Sequence, residues 1–113
     1  MQKIIAAFAF ATLATIASAH SSVDTTTPAN EEVLSAVPAQ ITFDFASEIR
    51  MTRVNLTHDG VTEVQLDLGD QKTFRTDFIL PLPDAGSGEY LIEWRALGKD
   101  GHALQGSFSF TVE

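Results

Sequence analysis

Apolar and polar residues alternate with a period of two along much of the chain. Ile41, Phe43 and Phe45 alternate with Thr42 and Asp44, and Val54 and Leu56 with Asn55 and Thr57. Val64, Leu66 and Leu68 alternate with Gln65 and Asp67. Tyr90, Ile92 and Trp94 recur at the same spacing, as do Phe108, Phe110 and Val112 with Ser109 and Thr111 between them. Period two with β-branched and aromatic enrichment predicts half-buried strands. Val23–Thr27 and Thr73–Leu80 are strand-like as well. Turn residues separate these runs: His58-Asp59-Gly60, Leu68-Gly69-Asp70, the stretch from Pro81 to Gly88, and Lys99-Asp100-Gly101. Only Glu31–Ala36 has a pattern compatible with a helical turn. About seven short strands at this spacing predict an all-β fold, a Greek-key β-sandwich of immunoglobulin-like size. A small closed barrel is the alternative. Trp94 is expected to be the largest core side chain.

The first residues follow a different pattern. Met1-Gln2-Lys3 is a short positive start, and Ile4–Ala17 is apolar apart from Thr12 and Thr15. Ala17-Ser18-Ala19 then places small residues where a signal peptidase requires them. The run is shorter than the ~20 residues of a spanning helix, and no basic cluster follows it. Residues 1–19 are therefore expected to be a signal peptide and 20–113 a single domain, exported and free of the membrane. Removing the first 19 of 113 residues leaves 94, and the loss of Lys3 takes the net charge from −8 to −9.

The chain has no cysteine. That excludes a disulfide framework, a thiolate metal site, a catalytic thiol and a lipid-anchored lipoprotein. The acidic balance argues against a nucleic-acid binder, which needs a basic face.

Three histidines remain after residue 19: His20, His58 and His102. Cleavage after Ala19 makes His20 the new N-terminus. Its α-amine, with an ordinary pKa near ~7.7, and its own Nδ1 can then close a six-membered chelate ring on one metal. One further imidazole completes a three-nitrogen set suited to copper(II), which tops the divalent affinity series. The alternative for His20 is a frayed terminus. Asp100-Gly101-His102 sets a carboxylate and an imidazole two residues apart, and in an extended segment both face the same way. His102 is the candidate second imidazole. Asp100 is an axial oxygen ligand or a partner that orients a ligand. The alternative here is an ordinary Asp-Gly turn with an exposed histidine.

Beyond these residues, a series of short segments resembles the CopC family of periplasmic copper-resistance proteins along nearly the whole mature chain. The segments are His20 after the cleavage point, Thr27-Pro28-Ala29, Pro38-Ala39-Gln40-Ile41 and Phe43-Asp44-Phe45-Ala46-Ser47-Glu48. The most specific are the run from Gly88 to Ala96 (GEYLIEWRA), Asp100-Gly101-His102 and Gly106-Ser107-Phe108-Ser109-Phe110. The resemblance implies a Greek-key sandwich holding one copper(II) ion per chain. The His20 amine and imidazole, the His102 imidazole and the Asp100 carboxylate would be its ligands, with Glu48 no nearer than the outer shell. It also implies a periplasmic monomer that carries or buffers copper and hands it to a CopD-type inner-membrane transporter. Two departures bear on this. Met51 is the sole methionine after cleavage, so no methionine-rich copper(I) site is expected. Ser21 stands where the family often has alanine. His58 is expected to be a surface turn residue.

Two other functions compete with a carrier that performs no reaction. One is a copper-dependent redox enzyme built on the same histidine brace, which would need an open coordination position and a broad substrate face. The other is a metal-free sandwich domain that binds a protein by an edge strand. Arg50 and Arg53 read as solvated, and no nucleophile–base pair is visible around Ser107 or Ser109.

Overall fold

The computed structural model describes residues 23–113 except Gln71. Seven strands are described: β1 (Val23–Thr27), β2 (Glu32–Leu34), β3 (Gln40–His58), β4 (Thr62–Gln65), β5 (Arg75–Pro81), β6 (Gly88–Gly98) and β7 (Ala103–Val112). The described residues contain no helix.

The long strand β3 organises the fold. Its first half pairs antiparallel with β1 on one side and β5 on the other. Its second half pairs antiparallel with β6 and β4, and β6 continues through β7 to β2. β3 thus belongs to both layers of a β-sandwich and turns the corner between them. The corner is legible in its burial. Phe45 and Ile49 are buried, while Ala46, Ser47 and Glu48 between them are exposed. The register with β5 shifts across the same stretch. Strands that change sheets do so at such irregularities.

Two strands expected as separate, around 41–45 and 54–56, are therefore one. The helical turn considered for Glu31–Ala36 is overturned: Glu32–Leu34 pairs parallel with Phe110–Val112. The apolar alternation of 64–68 also does not continue as a strand. β4 ends at Gln65 with Val64 exposed, although the Leu66 N–H still donates to the Val54 carbonyl at 2.8 Å.

The inward positions close the core. Trp94 is 2 % exposed and meets Phe45 edge-on, with ring centres 5.1 Å apart. Tyr90 stacks on Phe110 at 5.0 Å, and its hydroxyl donates to the Gly86 carbonyl at 2.7 Å. That bond fixes the 82–87 connection against β6. No polar or charged residue is buried among those described.

Candidate metal centre

β6 and β7 are joined by a tight loop that begins after the Leu97–Ala103 pair. Gly101 N–H donates to the Gly98 carbonyl at 3.0 Å, and Gly98 N–H donates to the His102 carbonyl at 2.9 Å. Gly101 has a φ of 87°, a conformation that side chains disfavour. A tight turn followed by a left-handed glycine is a common hairpin solution, and it fits the sequence Lys99-Asp100-Gly101.

This turn brings Asp100 and His102 together. Asp100 Oδ1 accepts the His102 backbone N–H at 3.0 Å, and Oδ2 accepts from His102 Nδ1 at 2.8 Å. The side chains meet because the loop folds back, not because an extended segment points them the same way. The absent side chain of Gly98 makes room, since a Cβ there would lie 2.9 Å from Asp100 Oδ1.

The hydrogen bond from the His102 backbone, then that from its ring, hold the Asp100 carboxyl below the usual carboxylate range. An ionised carboxylate only accepts, so the proton between the two groups sits on Nδ1. In the neutral ring Nε2 is then a bare lone pair. This is the carboxylate–imidazole arrangement that orients a metal-binding histidine. Both side chains are open to solvent, at 66 % and 82 % exposure.

The other candidates are placed as follows. His20 lies outside the described residues. Val23, the first described residue of β1, pairs with Phe45, and β1 runs antiparallel to β3. The N-terminal end of β1 therefore faces the 46–48 corner. Gly98 pairs with Ile49 at that same corner. Glu48 is there too, but its carboxylate is 2.6 Å from the Lys99 ammonium. That ion pair ties the corner to the loop carrying Asp100, and no residue spacing announces it. Among the described residues, no three metal-ligating side chains gather at one point.

His58 opens the expected turn, its carbonyl accepting the Val61 N–H at 3.0 Å, but its side chain is largely covered. It pairs with Tyr90 at the far end of the β3–β6 ladder, nine residues from Ile49 and so about 30 Å from the Gly98 end. Its side chain is 16 % exposed, its Nε2 lies 2.8 Å from the Ser87 carbonyl, and its ring meets Tyr90 edge-on. Met51 is 3 % exposed and faces the core. Arg50 lies over the Phe74 ring, 5.9 Å from its centre, and is not simply solvated.

A family model described as the CopC domain matches residues 23–113. No curated protein sequence matches the chain. Solved structures with the same fold include CopC from Methylosinus trichosporium OB3b, at 22% identity and TM-score 0.65, covering 83% of this chain and 94% of that one. PcoC, a copper resistance protein from Escherichia coli, gives 21% identity and TM-score 0.61 over 80% of this chain and 98% of its own. A second structure of PcoC, named there as methionine-rich, gives 21% and 0.59 over 84% and 100%. With the family model spanning every described strand, the chain belongs to the CopC family.

Proposed function

We propose that this protein carries or buffers one copper(II) ion in the periplasm after residues 1–19 are removed. The observation that supports it most is the meeting of His102 and Asp100 on an exposed loop, at the corner toward which β1 points its N-terminal end. His20 is three residues before Val23, and three extended residues span about 10 Å. In this reading the His20 amine and imidazole bind the ion together, and His102 adds Nε2. Asp100 orients the His102 ring through Nδ1 and sets an anionic oxygen pair beside the site. Membership of the CopC family, and its fold likeness to the copper resistance protein PcoC, favour copper over other divalent ions. Anionic oxygen beside nitrogen donors favours the oxidised ion, which suits cargo better than a redox cycle. Delivery to a CopD-type inner-membrane transporter follows as the outlet for such cargo.

Copper(II) titration of the protein beginning at His20, followed by electron paramagnetic resonance, tests the loop ligands. His102→Ala is expected to remove one nitrogen coupling and most of the affinity. Asp100→Asn is expected to weaken binding by roughly 10–100-fold, the usual cost of losing an orienting partner. Native-like binding and spectra in both variants would contradict the ligand set.

A further inference from the structure

A second site lies on the outer face of the β3–β6–β7 layer. The register places Arg53 directly opposite Arg95, and Arg95 opposite Gln105. One pair along, Asn55, Glu93 and Ser107 line up in the same way. Together they line an open groove of about 600 Å³.

Two features set these arginines apart from scattered surface charge. First, like charges directly across a ladder repel, and the chain has fifteen acidic residues with which to separate or neutralise them. Yet neither guanidinium forms an ion pair among the described residues, although Glu93 shares the groove. Second, a register shift between Met51 and Arg53 aims Arg53 at this face. Met51 and Val54 are both buried, so Thr52 and Arg53 occupy the space where strict alternation allows one residue. A bulge of this kind re-aims a side chain.

We propose that the Arg53–Arg95 groove is a docking site for a carboxylate-bearing polypeptide segment of a partner protein. Two adjacent guanidinium forks match carboxylates in bidentate geometry. Asn55, Gln105 and Ser107 add neutral hydrogen-bonding groups around them. Glu93 limits the number of negative charges the groove accepts, which favours a short acidic segment over a polyanion. Arg95 lies three residues along β6 from Gly98, so a segment seated here ends about 10 Å from the Asp100–His102 loop.

The test needs no copper, so its outcome is separable from that of the metal site. Amide and arginine side-chain NMR resonances of the protein beginning at His20 would be followed while a tetraglutamate peptide is added. Parallel titrations would use inorganic phosphate and a tetralysine peptide. Selective shifts at Arg53, Arg95 and Gln105 with tetraglutamate, weakened about tenfold or more in the Arg53→Gln/Arg95→Gln variant, are expected. The substituted side chains are exposed, and the variant should retain the native spectrum elsewhere. Absence of shifts, equal binding by the variant, or phosphate binding as tightly as the peptide would overturn the proposal.

Discussion

At the scale of single residues, two glycines explain motifs that otherwise resemble binding signatures. Gly106 in the Gly-Ser-Phe segment stands under the Trp94 indole. A Cβ there would lie 2.6 Å from Trp94 Cζ2. Gly106→Ala is therefore expected to destabilise the fold by about 1–3 kcal/mol, the usual cost of overpacking a well-filled core. Denaturant unfolding followed by the fluorescence of Trp94, the sole tryptophan, measures it. A midpoint equal to that of the native protein would show that the indole moves aside freely. Gly101 differs: nothing lies within 4 Å of a Cβ built there, so only its φ of 87° matters. Gly101→Ala should cost roughly 1–2 kcal/mol through backbone strain alone. It should also weaken copper binding, because it perturbs the loop that joins Asp100 to His102. An unaltered Kd would separate the loop from the site.

Elements show where sequence reading succeeds and where it stops. The alternation at 41–45, 90–94 and 108–112 is decided locally, residue by residue, and the strands form as expected. Three exposed residues, Ala46, Ser47 and Glu48, make 41–58 look like two strands, because alternation cannot distinguish a corner from a loop. Glu32–Leu34 pairs with Phe110–Val112, nearly eighty residues away, and that long-range ladder decides its conformation. The same limit applies to the site. The nearness of Asp100 to His102 was legible in their spacing. The Lys99–Glu48 ion pair was not, since it depends on β3 turning its corner beside the loop. The turn at His58 was legible, but the cover over its ring was not, because the Ser87 carbonyl lies across a connection that no periodicity describes. His20 falls outside the described residues, so its place in the site stands on the direction of β1 and on the proposal above.

For the molecule as a whole, two hydrogen-bonded aspartates tie part of the stability to pH. Asp100 and Asp70 both have carboxyls held below their usual range, Asp70 first by the Lys72 backbone N–H and then by the Thr73 hydroxyl. A carboxyl whose pKa is lower folded than unfolded adds stability above its unfolded value, near ~3.9, and loses it as pH falls through the folded one. Stability should thus be level with respect to these two groups from neutral pH to about 5, then decline on further acidification. Both side chains are exposed, so the contribution is small. An Asp70→Asn/Asp100→Asn variant should show a shallower acid decline in thermal unfolding between about pH 5 and pH 2, and a slope equal to the native one would contradict the assignment.

The central claim is that a newly exposed N-terminal histidine completes a copper(II) site with the Asp100–His102 loop. Its most direct test is a copper(II) titration of the protein beginning at His20 beside a form carrying one extra residue before it. The extension removes the amine–imidazole chelate and leaves the sandwich intact. One tightly bound ion in the first form, with affinity lower by orders of magnitude in the second, is the predicted result. Equal affinity in the two forms, or binding by neither, would contradict it.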